Sequence, residues 1–188
     1  MLAKIDRALE AALDDTMNAR GRSAAHVAAG LAIVIGAVFA SAIVAYGEGP
    51  SDANPKEKQA LDSLEKSPLQ PSQKTFAAVW PPMFLLLTLS AVRIWNAPDS
   101  PPRTRALLVW VGVQVLHAVS MVVGVKQQTA QLLANLANMA GGFFYAREAK
   151  KVDPPSAAII APYVSWMAFA NLLSAELWRR NIDRPDVH

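Results

Sequence analysis

Residues 62–95 read DSLEKSPLQPSQKTFAAVWPPMFLLLTLSAVRIW, and the parsing of this stretch decides the fold. A polar segment punctuated by Pro68 and Pro71 passes directly into a long apolar run, with Trp80 near its start and Trp95 at its end. Such a segment reads as a connection that folds over one mouth of a helix bundle and then enters it. The same reading makes it the lid and one wall of a pocket between the helices.

The remaining composition agrees with a bundle in lipid. Of 188 residues, 53% are hydrophobic and 18% charged, where soluble domains carry about 25% charged residues. Mean hydropathy is +0.21. The length suits one compact domain. Net charge is only +3, and the basic residues flank apolar runs, as membrane orientation requires; no nucleic-acid partner is expected. The absence of cysteine removes disulfides, thiolate metal sites and cysteine nucleophiles together.

Residues 1–22 place Leu2, Ile5, Leu9 and Leu13 at helical spacing, with Asp6, Glu10 and Asp14 on a different face. This is an amphipathic leader lying on the membrane surface or on a membrane-protein partner, ended by Gly21. Four acidic residues set it apart from a mitochondrial transit peptide. About 20 apolar residues cross a bilayer core, and five runs qualify: 24–46, 74–96, 104–125, 129–147 and 156–178. A signal peptide competes for the first, since Ala40-Ser41-Ala42 resembles a cleavage site, but its apolar run exceeds a normal one. Ala24, Ala28, Ala32, Gly36 and Ala40 form a small-residue seam there, facing a neighbour in the bundle or a second protomer. Residues 47–73 are the one long connection, of a length that is functional or disordered; 56–66 have the periodicity of a helical turn. The second span is expected to start near Lys74 and kink at Pro81-Pro82. Residues 96–103 read as a tight turn, and Pro154-Pro155 as the opening of the last span. The expected architecture is all-α: five transmembrane helices, a long first loop and the leader, with 182–188 as a tail. Basic residues in the leader and in the second and fourth connections put the N-terminus inside, with Arg179 and Arg180 opposing that assignment.

Polar residues inside the spans supply the functional expectation. Trp110, Gln114, His117 and Met121 share one helical face. Gln131, Asn135 and Asn138 share another, followed by Gly142. Tyr163, Asn171, Ser174 and Trp178 share a third, with Trp166 close by. None belongs against lipid, so they should converge inwards, and amides, an imidazole and aromatic rings around an apolar cavity describe a small-molecule site. The amides have a second reading, as hydrogen-bonded glue between helices. His117 could ligate haem iron or carry a proton; a neutral ring bonded to Gln114 or to an Asn of the fourth span is the plainer reading. Trp95 and Trp178 read as interfacial anchors, Arg93 as a residue that snorkels to the boundary, and Glu176 as the partner of Arg179 and Arg180. There is no HExxH, phosphate loop or paired intramembrane carboxylate, so no catalytic residues, metal or resident cofactor are expected.

Two stretches resemble the TspO/MBR family, the tryptophan-rich sensory proteins and their translocator (peripheral benzodiazepine receptor) relatives. Residues 62–66, Pro68, Pro71, Phe76 and Val79-Trp80 are similar to its first loop and second-helix entry, where L-x-K-P-x-W-x-P-P precedes F-x-x-V-W. Pro162-Tyr163-Val164-Ser165-Trp166, Phe169-Ala170, Leu173 and Trp178 through Asn181 are similar to its fifth-helix signature. Leu69 stands where the family has its loop tryptophan. The resemblance implies a homodimeric multi-pass protein, here assigned to a bacterial cell membrane. It would bind porphyrin, haem or sterol-like ligands for transport, sensing or tetrapyrrole regulation. It also implies that Trp80 and Trp166 correspond to the tryptophans tied to light-dependent porphyrin breakdown. Trp80, Phe84, Trp110, Gln114, His117, Asn135, Asn138, Tyr163, Trp166, Phe169 and Asn171 are the expected pocket residues. A structural subunit of a larger membrane complex, using the leader as its contact, is the alternative.

Overall fold

The computed structural model describes residues 2–47, 64–123 and 128–181, which form helices and short connections without strands among them. The helical turn expected within 56–66 falls largely outside the described residues, as do residues 124–127 and the tail. The helices are α1 (Leu2–Met17), α2 (Ala24–Gly47), α3 (Gln73–Asn96), α4 (Pro101–Val123), α5 (Gln128–Val152), α6 (Pro154–Ile159) and α7 (Ala161–Asn181). α5 lies between α4 and α7, while α2 packs on α3 and α4. Among the described residues, two helical stretches are long and apolar enough to cross a membrane, Ala78–Asn96 and Pro154–Asn181; Ala24–Ala40 is a shorter apolar helix. The large exposed apolar side chains include Phe39, Leu85, Leu108, Val115, Leu133, Phe143 and Leu172, spread over every long helix of the bundle. A coat of this kind suits lipid as solvent and would be a liability in water.

Local chemistry explains where the helices begin and end. Ser72 caps α3, its Oγ accepting from Thr75 N–H at 3.2 Å. α3 then runs through Pro81 and Pro82, which lie on its exposed side. The turn expected over 96–103 is shorter, because Ser100 Oγ accepts from Arg103 N–H at 3.3 Å and Pro101 and Pro102 open α4. Asp153 caps α6, accepting from Ser156 N–H at 3.2 Å. The last expected span is two helices meeting at Ile160. Pro162 has no N–H for the carbonyl four residues back and its ring crowds that carbonyl, so the helix cannot pass Ile160 undisturbed.

α1 stops before Gly21. Asn18 takes φ 54°, and two bonds close the helix: Ala19 N–H to Asp14 C=O at 2.8 Å and Asn18 N–H to Asp15 C=O at 3.3 Å. This is the αL termination with paired 6→1 and 5→2 bonds. Gly21, at φ 74°, turns the chain onward into α2.

One end of the bundle is locked by a guanidinium. Arg93, expected to snorkel, is only 11% exposed and makes a two-pronged ion pair with Asp153, itself 10% exposed. Nε donates to Oδ2 at 2.7 Å and Nη2 to Oδ1 at 3.0 Å. Nη1 donates to the carbonyls of Asp15 (2.6 Å) and Thr16 (2.8 Å) at the end of α1. Asn96 Nδ2 donates to Met17 C=O at 2.9 Å, and Asn18 Nδ2 to Arg93 C=O at 3.2 Å. The root of α1, the end of α3 and the α5–α6 turn are thereby joined. Trp95 is held beside them: it stacks on His26 (5.5 Å between ring centres), donates Nε1 to His26 C=O at 3.1 Å and lies under the Arg103 guanidinium. Gly30 makes room for that indole, since a Cβ there would sit 2.3 Å from Trp95 Cδ1. The seam of Ala24, Ala28, Ala32, Gly36 and Ala40 is exposed and faces away from the bundle.

At the opposite end Glu176 pairs with Arg179 (3.0 Å) and Arg180 (2.7 Å), as expected, and Arg180 also reaches Glu65 at 3.0 Å. The two arginines that opposed an inside N-terminus are therefore largely neutralised.

Burial raises the pKa of Asp153, but the Arg93 and Ser156 hydrogen bonds and the Arg93 charge outweigh it and hold the carboxyl below its ordinary 3.8. Its contribution to stability is complete above that ordinary value and is lost as pH falls through the lowered one. Asp153→Asn should cost on the order of 3 kcal/mol at pH 7, and thermal unfolding in detergent should show the wild type losing its advantage only on acidification. Gly30→Ala should cost about 1–3 kcal/mol by overpacking, with altered tryptophan emission as Trp95 is displaced.

Candidate functional site

Four of the expected residues meet in one aromatic cluster. Trp80 and Phe84, one turn apart on α3, stack at 5.5 Å. His117, on α4, sets its ring edge-on to Trp80 at 5.7 Å and lies 5.9 Å from Phe84. Tyr163, on α7, completes the group at 5.7 Å from His117. The imidazole Nε2 and the Tyr163 hydroxyl share a 2.8 Å hydrogen bond. His117 is 5% exposed and Tyr163 fully buried. The partner of His117 is thus this phenol, in place of the Gln114 or Asn bond expected from sequence. Gly142 on α5 permits the arrangement, because a Cβ there would stand 2.9 Å from Tyr163 Cε1.

Beside this cluster lies a cavity of about 210 Å³. Trp80 forms one wall, with Gln131 and Asn135 from α5 and Met167, Ala170, Leu173, Ser174 and Leu177 from α7. Gln70 of the first connection covers it. The described part of that connection is fixed in place: Asn181 Oδ1 accepts from Glu65 N–H at 3.0 Å, and its Nδ2 donates to Glu65 C=O at 3.2 Å. Ser67 to Gln70 then forms a turn, closed by Gln70 N–H to Ser67 C=O at 3.0 Å, with Pro68 at its second position. Leu69, at the family's tryptophan position, is 72% exposed.

The remaining expected residues fall into two sets. Asn135 Nδ2 donates to Ser174 Oγ at 2.8 Å, Asn138 Nδ2 to Ser120 Oγ at 2.9 Å, and Asn171 Nδ2 to the Asn135 and Met167 carbonyls. Apart from the Met167 bond, which lies within α7, these bonds tie helices together, and Asn135 does so while also lining the cavity. Trp110 and Gln114 are buried, and Trp110 Nε1, Asn138 Oδ1 and Asn171 Oδ1 have no hydrogen-bond partner. Trp166 pairs with Phe169 at 5.5 Å and is not part of the cavity wall. The side chain of Met121 lies outside the described residues. Gln70, Met167, Ala170, Leu173 and Leu177 line the cavity without having been expected there, whereas Ser174 belongs to the expected inward face but not to the expected pocket residues. Ser174 lies one turn from Asn171 on the same polar face, which was the available signal; the apolar wall residues carry none.

A family model, described as the TspO/MBR family, matches residues 28–179. Among curated relatives, the translocator protein of Bos taurus is 26% identical over 125 residues, covering 63% of this chain and 73% of the relative. The translocator protein of Ovis aries is 26% identical over 128 residues, covering 65% and 75%. The match takes in the aromatic cluster, the cavity wall and the first connection alike, and the chain belongs to the TspO/MBR family, whose members are membrane proteins.

Proposed function

We propose that this protein is a five-span membrane receptor or carrier that takes a flat, hydrophobic small molecule between its helices beneath the first connection. The observation that carries the reading is the placement of Trp80. Its indole forms the wall of the cavity and at the same time packs on Phe84 and His117. One side of the site is therefore a rigid aromatic surface, suited to a planar guest. Asn135, Ser174, Gln131 and Gln70 supply hydrogen-bonding groups across from it, enough to orient a polar edge. The void is smaller than the roughly 300–1,000 Å³ of ordinary ligand pockets. A tetrapyrrole would insert one edge and extend through the mouth beside Gln70, whereas a slimmer sterol-like molecule would enter further.

The basic side chains of the Arg93 end, with Arg103, Arg105, Lys150 and Lys151 nearby, favour that end as the inner one. The cavity then opens on the outer side. Light-driven porphyrin breakdown has less support, since only Trp80 of the two tryptophans it invokes lines the cavity.

Protoporphyrin IX titrated into detergent-solubilised protein should shift its Soret band on binding. Trp80→Ala should weaken that binding about tenfold, and an unchanged dissociation constant would reject the site. Tyr163→Phe, which strips His117 of its buried partner, should lower unfolding stability by about 1–3 kcal/mol, measured by thermal unfolding without ligand. Asn181→Ala should raise the ligand dissociation rate, followed by stopped-flow, more than it changes the association rate.

A further inference from the structure

α1 leaves an apolar stripe uncovered. Ile5 is 53%, Leu9 59% and Leu13 48% exposed, and residues 4–13 are exposed on every face. Among the described residues, its last turn is bonded to the bundle through Arg93 and Asn96 at the end of α3. A 16-residue helix is about 24 Å long, and an isolated helix of that length is marginal in water. Something must cover the stripe.

We infer that the stripe lies in the surface layer of the bilayer, making α1 an in-plane anchor at the Arg93 end of the bundle. This rests on the membrane reading above and adds a second lipid contact to it. Three observations choose lipid as the occupant. The root of α1 is fixed beside Trp95, whose indole sits among His26, Arg103 and the His26 carbonyl; an indole under a guanidinium at a span end suits headgroup depth. The open polar cleft at the same root is lined by Asn18, Arg20, Arg22, Asn96 and Asp99, groups that belong with headgroups and water. The bundle also presents exposed apolar side chains on α2 and α4, Phe39, Leu108 and Val115 among them, so a solvent that covers them would cover the stripe as well.

The charge on α1 refines the inference. α1 carries Lys4 and Arg7 along with Asp6, Glu10, Asp14 and Asp15, four carboxylates to two cations. The polar side of an ordinary surface-seeking helix is rich in Lys and Arg and draws it to anionic lipid. Here burial of Ile5, Leu9 and Leu13 drives the contact, which needs no anionic lipid.

The lack of native cysteine allows a direct test on the full chain in lipid nanodiscs. Nitroxide labels are placed at Ile5→Cys, Leu9→Cys and Leu13→Cys, at Glu10→Cys and Ala11→Cys on the polar side, and at Leu108→Cys on the coat. Accessibility to oxygen and to a water-soluble nickel chelate is then compared. The expected result is a several-fold higher oxygen-to-nickel ratio at 5, 9 and 13 than at 10 and 11, in zwitterionic lipid and equally with anionic lipid added. Water exposure of both faces, with Leu108 in lipid, would overturn the anchor while leaving the bundle in the membrane. A stripe shielded from both reagents would mean that protein covers it, a second copy or a partner, and would also overturn it. Insertion confined to anionic lipid would overturn burial as the driving force. Water exposure at Leu108 would remove the membrane reading itself.

Discussion

The Arg93–Asp153 pair is the constraint on which one end of this molecule depends. A nearly buried ion pair is a poor source of stability unless its remaining hydrogen-bonding capacity is met. Here it is met. Two guanidinium nitrogens face the carboxylate and a third donates to the Asp15 and Thr16 carbonyls at the end of α1. The carboxylate in turn receives both the N–H and the hydroxyl of Ser156. A single charge thus terminates one helix, starts another and fixes the direction in which α1 departs. Lysine could not do this, because its ammonium has no planar fork to divide between a carboxylate and a helix end.

Away from that end, the interior is held by neutral groups. Ser90 donates to the Ser156 carbonyl at 2.9 Å, which leaves the Tyr145 hydroxyl to donate to Ser90 at 2.8 Å. Ser120 with Asn138, and Ser174 with Asn135, repeat the pattern of a small hydroxyl on one helix meeting an amide on the next. Such bonds are worth about 0.6–2 kcal/mol each in lipid. Their larger effect is on register, because a slip of one residue on α5 would carry Asn135 and Asn138 away from both partners.

Much of this was legible in the sequence, for a definite reason. Helical periodicity shows which residues share a face, so the inward stripes on α4, α5 and α7 could be read directly. A helix start was legible too where prolines cluster, as at Pro154-Pro155, though the Asp153 cap before them was not. What periodicity cannot show is which residue on another helix a side chain meets. Arg93 and Asp153 are 60 positions apart, and nothing local marks the arginine as buried. The phenol that meets His117 was hidden in the same way. The small residues of α2 were conspicuous as a run, yet the close approach is made at Gly30, outside the run, because Trp95 packs on the other face.

The two ends of the bundle are fastened very differently. The described part of the first connection is held to α7 by the two Asn181–Glu65 backbone hydrogen bonds and by an Arg180–Glu65 pair that is 26% and 55% exposed. An exposed pair adds little, and two neutral hydrogen bonds contribute about 1 kcal/mol each. Breaking this grip alone would cost about 2 kcal/mol, before the burial of Leu64 and Ser67 in the same connection is counted. Releasing one asparagine side chain is a far smaller event than parting the helices, so this end is the more easily loosened of the two.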